Sequence, residues 1–424
     1  MEQVSTQPQA EPGRYRWIIV GAASVVLAVA MGQLVNGLSA FFTPLEQSEG
    51  WSRGDIALIN SAGLIGLAVG GIAMGWLADR VETRKVVLAG TVVTGLCVTA
   101  AGFATTLWQL YALFFVAGAL GGGALFAPLF ALVGSWFRTG AGLAIGIVSA
   151  GQAMGQGGIP LANAMLIEAL GWRGAFVAIG IASLLIMVPL ALLARAPAPV
   201  EGAGAQTEED APAVRPAVVV VLMSLGVIFC CALMSVPLMH LAPLVELCGA
   251  TGPEAGGVLF VMMLTAIAGR VAFGKLADVI GALPAYLAAS AWQTALVYVF
   301  IQIDEIGLFY LFAPIYGFGY AGVMTGVLTT IRALIPAYCR AGASGIIIAF
   351  AWGGHGLGGW LGGLFFDRTG SYDLTFGVAA LAGLANLALL LTLGALVLRG
   401  KSTPPRAAGV GPTRLGLLHR NPRR

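Results

Sequence analysis

Long apolar runs broken by short polar links make up almost the whole chain. Runs of about 20 apolar residues, enough to carry a helix across about 30 Å of hydrocarbon, recur at 17–41, 56–78, 86–105, 109–134, 141–169 and 173–195. Six more follow at 216–241, 255–277, 283–302, 307–331, 342–366 and 374–398. Residues 1–16 are polar and hold no apolar core, so they read as a tail and not a secretory signal. Between the sixth and seventh runs lies APAPVEGAGAQTEEDAPAVRP, rich in Pro, Ala and acidic residues, which cannot bury enough apolar surface to fold alone. The expected organisation is therefore all-α and integral to the membrane. An N-terminal six-helix bundle (17–195) and a C-terminal one (216–399) are joined by a linker (196–215), with tails at 1–16 and 400–424.

Composition agrees. The chain is 58% hydrophobic and 10% charged, with mean hydropathy +0.90, where a soluble domain carries about a quarter charged residues. Charge placement predicts orientation. With twelve spans both ends share a side, and that side holds 18 of the 22 basic residues, Arg80, Arg84, Lys85, Arg138 and Arg340 among them. The opposite loops hold Arg53, Arg173 and Arg368, and Arg270 falls inside a span. Basic residues favour the cytoplasm, which predicts a multi-pass protein of the cell (inner) membrane with both termini cytoplasmic. The net charge of +3 thus reflects topology and implies no nucleic-acid partner. The five cysteines show no metal spacing or disulfide framework and read as small apolar fillers.

The halves repeat each other. Gly75-Trp76-Leu77-Ala78-Asp79 recurs as Gly274-Lys275-Leu276-Ala277-Asp278 at an offset of 199, Arg138 matches Arg340 at 202, and Phe176 matches Phe376 at 200. Parallel repeats with a substrate site near midplane between them are a recurrent plan of secondary transporters. Glycines at four-residue spacing (Gly71/Gly75, Gly118/Gly122, Gly142/Gly146, Gly151/Gly155, Gly354/Gly358, Gly359/Gly363) let helix backbones approach closely. Their concentration in helices 5 and 11 predicts smooth contacts on which the halves rock.

Few residues carry chemistry. Arg270 lies eight residues before Asp278, hence about 12 Å deeper in the membrane. An Arg at mid-helix costs about 2.5–3.5 kcal/mol on insertion scales and usually faces a cavity. Its planar fork of donors suits a carboxylate and keeps its proton, so it holds an anion rather than relaying protons. His355 is equally deep, and three readings stay open for it: a second anion contact, a proton carrier, or a hydrogen-bonded core residue. His240, near the outer end of its span, reads as interfacial. Gln33, Asn36, Gln152, Gln156, Tyr316 and Tyr320 are polar positions that suit either a substrate or a neighbouring helix. Gly354 through Gly359 matches G-x-G-x-x-G by accident, since no βαβ unit surrounds it. There is no phosphate-binding loop, no metal triad and no nucleophile–base set within the spans, so no cofactor, no metal and no catalytic residue is expected.

The loop Gly75-Trp76-Leu77-Ala78-Asp79-Arg80-Val81-Glu82-Thr83-Arg84-Lys85 resembles the signature loop of the major facilitator superfamily, G-x-L-a-D-r-x-G-r-R. It matches at Gly75, Leu77, Asp79, Arg80 and Arg84 and departs at Glu82. The resemblance implies the major facilitator fold, with Asp79 pairing with Arg80 or Arg84 to close the cytoplasmic side. Asp278 stands in the second copy, which has no Arg at the later positions. Arg270 with Gly274, Trp136-Phe137-Arg138 with Gly142 and Gly146, Gly50-Trp51-Ser52-Arg53 and Gly171-Trp172-Arg173 are similar to the bacterial monocarboxylate and oxalate/formate carriers. Animal members of that group have a Lys where this chain has Asn36, and an acid where it has Ala266. The oxalate/formate carriers have a second cation in helix 11, where this chain has His355.

The expected function is a secondary active carrier of small organic anions, monocarboxylates above all, working by alternating access as a monomer. A proton or a counter-anion is the expected coupled partner. An oxalate/formate-type exchanger and an exporter of a drug-like compound are the alternatives, and an enzyme is not expected.

Overall fold

The structure is a computed structural model that describes residues 14–78, 80–137, 141–195 and 214–402. Asp79, Arg138 and residues 196–213 of the linker lie outside the described residues. Twelve membrane helices follow in order: α1 Tyr15–Glu49, α2 Arg53–Ala78, α3 Thr83–Ala101, α4 Leu107–Ser135, α5 141–170 and α6 172–191. The second half repeats the series with α7 Pro216–Leu247, α8 Gly252–Ile280, α9 Ala282–Gln302, α10 Ile306–Leu334, α11 Ala337–Thr369 and α12 Asp373–Ser402. No strand occurs among the described residues. Among the described residues, ten helical stretches are long and apolar enough to cross a bilayer. One of them turns at Gly171 (φ 69°, ψ 170°) and supplies both α5 and α6, and the glycine-rich α11 completes the twelve.

The repeat extends to the backbone. Gly50 and Gly249 end α1 and follow α7 with φ of 69° and 90°, and Gly171 and Gly370 follow α5 and α11, both with φ 69°. Each pair is offset by 199 residues, and each needs a left-handed turn that glycine makes without a Cβ clash. The departure at Glu82 has a structural counterpart. Gly281, one repeat later, has φ 95°, whereas Glu82 has φ −49° and precedes α3 in an ordinary conformation.

Where the first apolar run ends near Phe41, the helix continues to Glu49. It passes through a π segment at Gly32–Asn36 and a 3₁₀ segment at Gly37–Phe41. Such interruptions strand backbone carbonyls. Side-chain amides recover them: Asn60 donates to the carbonyls of Leu34 (2.8 Å) and Val35 (3.1 Å), and Asn163 donates to that of Gly37 (3.0 Å).

Each half has a core of its own, a third cluster around Phe41, Phe42 and Phe176 reaches across to Met239 of α7, and the halves meet along α2–α11 and α5–α8. The glycine pairs divide by role. Gly151 and Gly155 seat α5 on Ser24 and Ala28 of α1, and Gly354 and Gly358 seat α11 on Ile228 and Ala232 of α7. These are contacts inside a half, not the rocking surfaces expected. Glycines facing the other half include Gly157, where a Cβ would lie 2.7 Å from Met263 Cβ, and Gly363, where it would lie 2.5 Å from the Arg53 carbonyl oxygen.

Candidate functional site

Arg270 sits at the α5–α8 contact. Its Nη1 donates to the Ser149 carbonyl of α5 at 2.7 Å, so this guanidinium already reaches across from the C-terminal half to the N-terminal half. Its Nε is buried and has no hydrogen-bond partner. None of the described carboxylates forms an ion pair with it. Tyr320 of α10 lies within electrostatic reach of Arg270, and the Tyr320 ring stacks on that of Tyr316 with centroids 6.2 Å apart and planes at 24°. The Tyr316 hydroxyl is buried and unpartnered. Burying polar atoms without partners costs free energy, so this group is a place where a ligand atom would be welcome.

His355 is buried, and neither ring nitrogen has a partner. Its ring meets Trp352 at 6.2 Å, and Trp352 in turn meets Phe126 of α4 at 5.7 Å across the halves. A neutral pair joins α1 and α5. Asn36 donates to the Gln156 carbonyl at 3.0 Å, leaving Asn36 Oδ1 and Gln156 Oε1 buried without donors. Gln152 is buried one turn beyond Ser149. Gln33 turns towards α6, where its Nε2 donates to Ser183 Oγ at 3.4 Å. Thus Arg270, Tyr320 and Tyr316 form one group, Asn36 and Gln156 a second, and His355 a third with Trp352 and Phe126.

The signature-loop residues sit at the end of the bundle that bears the termini. Arg80 and Asp278 are exposed and Arg84 is half-buried. Gly75 lies in the last turn of α2, and Asp79 is outside the described residues. Lys85 and Glu82 form an exposed pair at 3.6 Å. No cluster of metal-ligating side chains occurs among the described residues.

The far end holds what the sequence did not announce. Arg53, expected as a loop residue, opens α2 and is 4% exposed. Its Nε donates to Glu46 at 3.0 Å, its Nη1 donates to the Tyr372 hydroxyl at 2.9 Å, and its guanidinium lies 4.1 Å from the Phe366 ring centre. Burial pushes the Tyr372 hydroxyl above its ordinary value although Arg53 beside it pulls the other way. Asp367, at the end of α11, accepts the backbone N–H groups of Arg53 (2.8 Å) and Gly54 (2.6 Å). A carboxylate from one half thereby caps a helix N-terminus of the other, satisfying orphan donors and the helix dipole together. Thr43 donates to Glu246 between the same halves.

His240 is not interfacial. It is fully buried between the halves, its Nε2 2.7 Å from the Gly359 carbonyl oxygen and its ring edge-on to Phe42. The Gly50-Trp51-Ser52-Arg53 pattern was the available signal for this cluster. Nothing local pointed to Asp367 or Tyr372, which lie more than 300 residues away in sequence.

The model of the Major Facilitator Superfamily matches residues 19–289. Monocarboxylate transporter 13 of Bos taurus is 27% identical over 401 residues, covering 91% of each chain. MFS-type transporter pynF of Aspergillus niger is 25% identical over 349 residues, covering 81% of this chain and 80% of its own. Monocarboxylate transporter 3 of Rattus norvegicus is 30% identical over a shorter stretch, 40% of this chain and 34% of its own. Among solved structures, the nucleoside transporter NupG superposes with TM-score 0.71 at 11% identity over 90% of this chain and 99% of its own. A bacterial homologue of the human lysosomal transporter Spinster, inward-facing and unoccupied, gives 0.66 at 16% identity over 92% and 97%.

Proposed function

Since the chain belongs to the major facilitator superfamily, a family of transporters and not of enzymes, we propose that it carries small organic anions, monocarboxylates above all, by alternating access. One observation supports this more than any other: Arg270 is a deep, permanent cation with which none of the described carboxylates forms an ion pair. With Nη1 engaged by Ser149, Nε and the remaining N–H groups are free to take a carboxylate in the fork geometry that guanidinium favours. Tyr316 supplies a hydroxyl for the same substrate, and His355 and Asn36 line the path. The aromatic pair Trp352 and Phe126 supplies apolar surface to a short organic tail. The names of the monocarboxylate transporters similar to this chain favour the same substrate class. In this reading the termini are cytoplasmic, in the cell (inner) membrane, and Asp79, Arg80, Arg84 and Asp278 close the cytoplasmic mouth.

The test is counterflow of labelled lactate and pyruvate in proteoliposomes. Arg270→Ala is expected to abolish it while the protein still folds and reconstitutes. Undiminished transport of each acid by that variant would overturn the anchor.

A further inference from the structure

Trp136 and Phe137, which anion transport leaves without work, build one corner of the N-terminal half at the end that bears the termini. Trp136 Nε1 donates to the Arg195 carbonyl just past α6 at 2.8 Å, and the Tyr15 hydroxyl donates to the Leu193 carbonyl at 2.9 Å. The Tyr15 and Trp136 rings meet at 5.5 Å, and Trp17 meets Phe137 edge-on at 5.2 Å. The start of α1, the end of α4 and the end of α6 are thereby tied together, and Arg14, Arg16 and Arg195 are all exposed there. The Arg16 guanidinium lies 5.2 Å from the Phe137 ring centre, a placement that steadies the cation and leaves its N–H edge free. Among the described residues none of these three arginines forms an ion pair with a carboxylate. We infer that this corner binds the headgroup of an anionic phospholipid in the leaflet on that side. A phosphate diester takes the parallel donors of a guanidinium, and Tyr15, Trp17 and Trp136 are amphipathic rings of the kind that sit at headgroup level. Ile18 and Leu192 are exposed beside them and offer apolar surface to the acyl chains. A soluble anion would use the charge and leave that apolar surface uncovered. The second half does not repeat the corner: Ala217 stands 200 residues after Trp17, and Arg340 is turned to the Ile335 carbonyl. The site is independent of Arg270 and of what the protein carries.

The experiment melts the purified full-length protein in detergent micelles titrated with phosphatidylglycerol, with phosphatidylcholine as the neutral reference. Phosphatidylglycerol is expected to raise the melting temperature where phosphatidylcholine does not, and to do so less at about 1 M salt, where the screening length is about 3 Å. In the combined variant Arg14→Gln, Arg16→Gln and Arg195→Gln, the half-saturating phosphatidylglycerol is expected to rise at least about tenfold, each basic residue near an anionic surface being worth about fivefold in affinity. Arg215→Gln, Lys275→Gln and Arg332→Gln together remove the same charge from the second half at the same end. They are expected to leave that value within about twofold of the wild type, because exposed charges away from a site are largely screened. Equal shifts from the two combined variants would overturn a defined site in favour of a diffuse positive surface. No difference between the two lipids in the wild type would overturn lipid binding outright. A stability loss in the first variant that is the same in both lipids would also overturn it, and would point to a carboxylate of the chain itself, such as Glu208, Glu209 or Asp210 in the linker that follows Arg195.

Discussion

The far end and the midplane of this molecule treat polar groups in opposite ways. At the far end the groups that cross between the halves are largely matched: Asp367 takes two backbone N–H groups, Arg53 has Glu46, Tyr372 and a ring face, and Thr43 meets Glu246. At the midplane the polar atoms are buried and left over: Arg270 Nε, the Tyr316 hydroxyl, both nitrogens of His355, Asn36 Oδ1 and Gln156 Oε1. An unmet buried polar atom costs about 1–3 kcal/mol, so each of these groups carries a deficit that a ligand atom can relieve. A matched set has nothing to offer a ligand and serves closure instead. Two arginines with the same side chain thus sit in opposite surroundings, Arg53 buried and fully engaged, Arg270 half-buried with its Nε unmet, and the proposed function gives them different work.

Replacing each arginine by lysine sharpens that contrast most. A lysine keeps the charge but loses the planar fork and places a compact ammonium where two parallel donors stood. For Arg270→Lys, kcat/KM for the transported acid is expected to fall about 10–100-fold, hydrogen bonds to charged groups being worth about 1.5–3 kcal/mol. For Arg53→Lys, the affinity for the acid is expected to stay at the wild-type value while thermal stability drops. Equal losses of affinity in the two variants would erase the division between closure and binding.

The seam glycines come next. A Cβ at Gly363 would lie 2.5 Å from the Arg53 carbonyl oxygen and 2.9 Å from Gly54 Cα, both backbone atoms that cannot step aside. Gly363→Ala is expected to weaken far-end closure by about 1–3 kcal/mol, the usual range for overpacking. One turn earlier, a Cβ at Gly359 would meet Met239 Cγ at 3.4 Å, the edge of ordinary contact with a flexible side chain. Gly359→Ala is expected to be nearly silent. Comparing the melting temperatures of the two purified variants checks this.

These features differ in how far they could be read from the chain. The twelve spans were legible because apolar length and the alternation of basic loops are local properties, and the repeat was visible at a nearly constant offset. Arg270 stood out because a cation inside an apolar run is rare and costly, although its contact with the Ser149 carbonyl of the other half was not readable from the chain. Arg53 was not, because a basic residue in a short loop reads as a topology marker, and its partners Asp367 and Tyr372 belong to the other half. His240 was misjudged for a related reason: depth along a helix follows from residue count, but which face meets the other half does not. The extension of α1 to Glu49 escaped because Thr-Pro-Leu-Glu-Gln-Ser-Glu is polar, and hydropathy ends where the bilayer does, not where the helix does. Gln33 shows the same limit, since its position fitted a cleft and its amide turns to Ser183.

Asp367→Asn tests the cap itself. Asparagine has one acceptor oxygen for two N–H groups and no charge for the helix dipole, a loss of about 1 kcal/mol. The far end is then expected to open about fivefold more often. In a variant lacking the five native cysteines, the labelling rate of a thiol introduced by Gly359→Cys reports that opening. An unchanged rate would mean that the Arg53 side chain, and not the carboxylate cap, holds the seam.

Lys85→Ala carries the smallest expected effect and reaches a region outside the comparison. The Lys85–Glu82 pair sits in the signature loop at the termini-bearing end, with its side chains 73% and 53% exposed and 3.6 Å apart. Exposed pairs of this kind contribute about 0–0.5 kcal/mol, because water solvates both ions nearly as well as they solvate each other. Transport rate and melting temperature are both expected to stay within error of the wild type. A rate change larger than about twofold, more than such a pair accounts for, would show that the loop is gripped in a state where Lys85 is buried. The termini-bearing end would then hold a matched set of its own, alternating with the one around Arg53 as the halves rock.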